Sequence, residues 1–85
     1  MRVLISGVVA LLSEALLRAT PADVLRSLES PALPVRAAAI DAARNRWLMD
    51  AIPALCRLRA DADSGIRRAA GAALTAFEEA RKERL

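Results

Sequence analysis

The sequence predicts a small all-α domain, and three observations support that prediction. The 85 residues are 55% hydrophobic, but much of this fraction is alanine, which favours helix formation strongly and contributes little buried area. Only four prolines, three glycines and 2% aromatic residues are present, as is typical of a helical chain. The segment VRAAAIDAA at 35–43 matches IRRAAGAAL at 66–74, and this offset of 31 residues indicates repeated supersecondary units.

Two helices are predicted before the first copy of the repeat. Residues 3–18 carry a broad apolar face at helical spacing, formed by Leu4, Ile5, Val8, Leu11, Leu12, Ala15 and Leu16. Thr20 is a suitable N-cap, Pro21 suits the first helical position, and Asp23 adds a carboxylate to the first turn. A short helix is therefore expected over 21–29, and its expected buried residues are Val24, Leu25 and Leu28.

Three further helices are predicted between helix-breaking segments. The segment SPALP interrupts the chain, because a proline disfavours helix at the residue before it, and a helix is expected over 34–46. The next helix is expected over 48–59, where Pro53 lies near enough to the first turn to be tolerated. One side of this helix is formed by Leu48, Ile52, Leu55 and Cys56. After ADADSG, with Asp63 or Ser64 as N-cap, a helix over 65–83 aligns Ile66, Ala70, Ala73, Leu74 and Phe77.

These helices are expected to form one domain over residues 1–85. Residues 1–29 would be a degenerate first helix pair, 30–59 a central repeat and 60–85 the terminal helix. The predicted architecture is a short α-solenoid of about five helices. Small side chains let neighbouring helices approach closely, so we expect Ala39 and Ala70, which are equivalent in the two copies, to be fully buried.

The repeated motif resembles the HEAT repeats, specifically the short bacterial HEAT-like repeats also found in phycobilisome lyases. The family signature V-R-x-A-A, which opens the first helix of a pair, is matched twice, by Val35, Arg36, Ala38 and Ala39 and by Ile66, Arg67, Ala69 and Ala70. The second helix of such a pair often reads A-[VI]-P-x-L, which residues 51–55 match. Two departures are the few repeats and residues 47–49, which read Trp-Leu-Met where the family commonly has Gly-Asp-Pro.

The resemblance implies a scaffold of helix pairs that binds other macromolecules. It also implies that Arg36 and Arg67 pair with acidic side chains near the neighbouring helix turn, for which Asp61 and Asp63 are the available partners. The alternative is that these arginines are freely solvated.

The residues that usually carry catalysis or bind metals are mostly missing. Without histidine, histidine-based acid–base catalysis and the usual histidine metal sites are excluded, and the single glycines form no phosphate-binding loop. Asp61 and Asp63 are interpreted as cap and turn residues rather than a cation site. Cys56 is expected to be an inert core residue, since the sequence shows no activating group for a catalytic thiolate. No catalytic, cofactor-binding or metal residue is therefore identified, and an enzyme is not expected.

Charge and the amino terminus bear on partners and location. The net charge of +3 is small and its signs are interspersed, and stacking aromatics are nearly absent, so nucleic acid is disfavoured as a partner. One cysteine is compatible with a reducing compartment, and we expect a cytoplasmic protein. The apolar amino-terminal run resembles a signal peptide but is too short for a transmembrane segment. We expect it to be retained as a helix, with a signal peptide as the alternative.

The expected function is that of a non-enzymatic protein–protein interaction scaffold or a small accessory subunit. The partner would be another protein, or the chain itself as a homodimer, docked on the amino-terminal helix, whose outer side carries Val3, Val9 and Leu17. Trp47 is a further interface candidate, or else a plug at the end of the core. The alternatives are an accessory subunit of a chromophore lyase or other enzyme, and arginine-mediated nucleic-acid binding.

Overall fold

The computed structural model describes residues 18–83, and within this range the protein is all-helical, with no strand. Its elements are α1 (Pro21–Ser27), α2 (Leu33–Asn45), a 3-10 turn (Met49–Ala51), α3 (Ile52–Leu58) and α4 (Ser64–Glu83). The predicted all-α class is confirmed, whereas the helix expected over 3–18 lies outside the described residues. The described range thus contains four α-helices joined by short turns.

The largest difference from the predicted bounds is in the helix expected over 48–59. This segment opens with the 3-10 turn, and the α-helix begins only at Ile52. Pro53 explains the late start, because its fixed φ and missing N–H are tolerated in the first turn of an α-helix and not further in.

Side-chain caps fix the starts of α1 and α4. Thr20 Oγ1 accepts a hydrogen bond from the N–H of Asp23 at 3.2 Å, as the sequence predicts for an N-cap. Hydrogen bonding with Thr20 also lowers the pKa of the Asp23 carboxyl, and the nearby charge of Arg26 adds to that effect. At α4, Asp63 Oδ2 accepts from the N–H of Ile66 at 2.9 Å, so Asp63 rather than Ser64 is the cap.

The helix bounds repeat with the same 31-residue offset as the sequence motif. The pairs of bounds separated by this offset are Pro21 and Ile52, Ser27 and Leu58, and Leu33 and Ser64. Helices α1 and α2 are therefore equivalent to α3 and α4. The equivalence ends in α4, because α2 stops at Asn45 whereas α4 continues past the equivalent residue 76 to Glu83.

The described helices pack into one continuous core. Helix α1 packs against α2, and α4 packs against both α2 and α3. All fully buried side chains within residues 18–83 are apolar. The core cluster consists of Val24, Leu28, Ala39, Ile40, Ala42, Ala43, Ala51, Ala54, Leu55, Leu58, Ile66, Ala70, Ala73 and Phe77.

Alanine dominates the surfaces of α2 and α4 that face the core. Ala39 and Ala70 both have 0% exposure, which confirms the predicted burial of these equivalent residues. Ala42 and Ala73, also 31 residues apart, are buried as well. Because the spacing between helix axes depends on the size of the side chains at the contact, these alanines let the helices packed against them approach closely.

Replacing Ala39 or Ala70 with leucine should lower the free energy of unfolding by about 1–3 kcal/mol, because the added atoms overpack a filled core. Chemical denaturation monitored by circular dichroism would measure the loss. The matched control is Ala72→Leu, since Ala72 lies on the exposed side of α4. Unchanged midpoints for both core variants would contradict the packing described here.

Candidate interaction surface

The two repeated arginines make the same backbone contacts. Arg36 Nη1 donates hydrogen bonds to the carbonyl oxygens of Ser30 (2.9 Å) and Pro31 (3.0 Å). Arg67 Nη1 donates to the carbonyl oxygens of the residues equivalent by the 31-residue offset, Asp61 (2.8 Å) and Ala62 (3.0 Å). Each guanidinium group therefore satisfies two carbonyl groups in the turn before its own helix.

Arg36 also connects the two copies of the repeat. Its Nε lies 3.4 Å from Asp61 Oδ2, and the two side chains are only 17% and 14% exposed. This is the expected ion pair, although Arg36 Nε makes no hydrogen bond and the contact is therefore mainly coulombic. Arg67 is exposed and makes no ion pair within residues 18–83, and Asp63, its other proposed partner, caps α4 instead.

Trp47 occupies a backbone position that normally favours glycine. It has φ of 53°, the only positive φ of a non-glycine residue in the described range. The N–H of Leu48 bonds the carbonyl of Ala43 at 3.0 Å, and the N–H of Trp47 bonds that of Arg44 at 3.2 Å. These two bonds form a Schellman motif at the end of α2, with Trp47 in the left-handed position. A side chain there costs about 1–2 kcal/mol.

The Trp47 ring contacts the core and is also partly exposed. It makes an edge-to-face contact with Phe77, with 5.6 Å between ring centroids and an interplanar angle of 66°. It therefore packs on the end of the core, as a plug would. The residue nevertheless remains 50% exposed, and Met49, two residues later, is 52% exposed.

A groove runs along the surface from Trp47 between α3 and α4. It consists of two adjoining hollows of about 190 and 310 Å³, hereafter the α3–α4 groove. Met49, just before α3, lies beside Ala80 and Arg81 near the end of α4, so the two helices run in opposite directions. The first hollow is lined by Trp47, Met49, Phe77, Ala80 and Arg81. The second is lined by Met49, Ile52, Cys56, Arg59, Leu74, Phe77, Glu78 and Arg81.

The expectation that Cys56 belongs to the core is wrong. The cysteine is exposed and borders the α3–α4 groove. Helix α3 instead buries Ala54, Leu55 and Leu58, and a step of one residue from Leu55 turns the next side chain about 100° away from the core. The thiol is therefore accessible on the same surface as Met49.

The groove itself was not predicted from the sequence. Its signal is a pair of matching stripes with i, i+4, i+7 spacing, formed by Ile52, Cys56 and Arg59 and by Leu74, Glu78 and Arg81. Only the contact between the two helices shows that these stripes face the same space. The candidate interface residues Val3, Val9 and Leu17 lie outside the described residues, and docking through them stays a prediction.

Two negative findings apply to residues 18–83. No helix there combines the length and apolar character needed to cross a membrane. In the same range, no group of three or more histidine, cysteine or acidic side chains is arranged to hold a metal ion.

Two substitutions at Trp47 should separate backbone strain from side-chain packing. Both Trp47→Gly and Trp47→Ala remove the contact with Phe77, but only glycine adopts the left-handed conformation without strain. We therefore expect the glycine variant to be more stable than the alanine variant by about 1 kcal/mol. Equal unfolding free energies in urea would show that the turn relaxes to another conformation.

Cys56 should react with a thiol reagent in the folded protein nearly as fast as in the unfolded chain, because its side chain is exposed. Ellman's reagent with and without denaturant would measure the two rates. A native rate slower by a factor of about a hundred or more would show that the thiol is covered and reacts only after local unfolding.

Comparisons with known proteins do not assign the chain to a family. No protein-family model, no curated protein and no solved structure matches it.

Proposed function

We propose that the protein is a non-enzymatic protein–protein interaction module, acting as a scaffold or small accessory subunit that binds its partner in the α3–α4 groove. The observation that carries the proposal is the exposure of Trp47 and Met49, each about half exposed, beside an apolar hollow. Tryptophan and methionine are enriched at protein interfaces, and tryptophan is among the commonest binding hot spots.

The backbone at Trp47 adds support. Glycine would occupy the left-handed position without strain, yet the chain has its single tryptophan there. Strained residues cluster at functional sites, where the surrounding structure holds them in place. The ring contacts Phe77 edge-to-face and yet remains half exposed, so part of it is open to a partner.

The scaffold is proposed to be a HEAT-like stack of helix pairs. Support comes from the helix bounds that repeat every 31 residues and from the equivalent contacts of Arg36 and Arg67 with the turns before their helices. In stacked repeats each unit contacts its neighbours and presents an extended surface for binding. A free, exposed thiol at Cys56 persists most readily in a reducing compartment, so the proposed location is the cytoplasm.

The test is a pair of variants that each add one charge at an exposed apolar residue. Met49→Glu, in the groove, should weaken binding of a partner captured from the source cell by about tenfold or more, because it buries a carboxylate against apolar side chains. Leu33→Glu is the matched control, since Leu33 is 43% exposed on α2 and does not line the groove. Native mass of the free chain would reveal a homodimer.

Equal retention of the partner by both variants would contradict the proposed binding surface. Loss of the partner in both would indicate a general effect on folding, which circular dichroism of the two variants would detect.

A further inference from the structure

We infer that the occupant of the α3–α4 groove is an amphipathic helix of a partner protein that carries acidic residues beside its apolar face. This inference rests on the proposed function and adds the chemistry of the partner. It follows from a comparison of the two copies of the repeat and from the charges around the groove.

The repeat shows which side of α4 is open. The stripe on α4 at positions 67, 71, 74 and 78 is equivalent to the stripe on α2 at 36, 40, 43 and 47. On α2, Ile40 is 1% exposed and Ala43 0%, whereas their counterparts Gly71 and Leu74 are both partly exposed. A Cβ added at Gly71 would meet no atom within 4 Å, so there is space over this part of α4.

The helix that packs on α2 indicates what fits over α4. Helix α2 contacts α1 and α4, and α1 is equivalent to the α3 that packs on α4. By the repeat, α3 takes beside α4 the place that α1 takes beside α2. The second neighbour of α2 is α4, and within residues 18–83 no helix takes the corresponding second place beside α4. The natural occupant of that place is another helix with small or apolar side chains at i, i+3, i+4 and i+7.

The charges around the groove favour an acidic helix. Arg59 follows the last turn of α3 and Arg81 lies near the end of α4, so the antiparallel helices set them towards opposite ends of the groove. Neither arginine makes an ion pair within residues 18–83. The one carboxylate among the described residues that line the groove is that of Glu78, whose Oε1 lies 4.0 Å from Lys82 Nζ. Exposed Arg67, at the start of the open stripe, adds a third cation without an ion-pair partner in the described range.

The chain already contains an example of the expected contact. Arg36 is the counterpart of Arg67, and its Nε lies 3.4 Å from Asp61 Oδ2. Asp61 belongs to the turn before α4, the helix that packs on α2. A partner helix with flanking carboxylates would supply the same charge to α4. A second copy of the groove would instead bring guanidinium groups towards each other at both ends, which disfavours a homodimer through this surface.

Two designed peptides test the inference against the full chain. Each has about four helical turns, with leucine at i, i+3, i+4 and i+7 and alanine at most other positions to favour helix. One carries glutamate at the positions flanking the leucines, and the other carries lysine at the same positions. Neither contains tryptophan, so Trp47, the only tryptophan of the protein, reports binding through its fluorescence.

We expect the glutamate peptide to change the Trp47 emission saturably and to bind at least about tenfold more tightly than the lysine peptide, with the difference shrinking as salt is added. The double variant Arg59→Glu and Arg81→Glu should reverse the preference. The double variant Arg44→Glu and Arg68→Glu, which changes the net charge equally at exposed residues outside the groove, should keep it.

Other outcomes would overturn the inference. Equal binding of the two peptides, or tighter binding of the lysine peptide, would show that the arginines do not select the partner, and the proposed function would stand. If neither peptide binds, the partner is not a helix of this kind. The proposed function is contradicted only if the Met49→Glu variant also retains the captured partner. A homodimer that is lost in Met49→Glu would identify a second copy as the occupant.

Discussion

The burial of alanine along α2 and α4 is the constraint on which the rest of the described structure depends. Alanine contributes little buried area, so these helices gain stability from short distances to their neighbours rather than from large side chains. The larger buried residues Leu28, Ile40, Leu55 and Phe77 belong to the same core cluster. The Arg36–Asp61 ion pair connects the first turn of α2 with the turn before α4, and so joins the starts of these two helices.

Much of this arrangement follows from local rules that can be recognised in the sequence. Thr20 and Asp63 cap helices because their side-chain oxygens reach a backbone N–H three residues later. The burial of Ala39 and Ala70 follows from one repeat and its helical period. The ion pair of Arg36 could be anticipated only from the resemblance to HEAT repeats, because its two residues are far apart in sequence.

The features that could not be predicted depend on the phase of a helix or on contacts between helices. The expected burial of Cys56 places it on the same side as Leu55, but α3 turns Ala54, Leu55 and Leu58 towards the core, and Cys56 borders the groove. The exposure of Met49 and the existence of the groove depend on how α3 lies against α4. A pattern within one helix does not specify the angle between two helices, so the sequence alone does not assign the stripes ending at Arg59 and Arg81 to one surface.

The greater length of α4 explains why the groove occurs at this copy of the repeat. Helix α2 ends in the turn at Trp47, whereas α4 continues without a turn through the equivalent residue, Glu78. Phe77 therefore lies within a regular helix, where it contacts the indole edge-to-face, and Ala80 and Arg81 of the added length of α4 line the hollow. The hollow thus depends on a difference between the two copies. A further unit at the same 31-residue offset would place a turn near Glu78. That turn would take Ala80 and Arg81 out of α4, so the hollow depends on α4 continuing unbroken past this position.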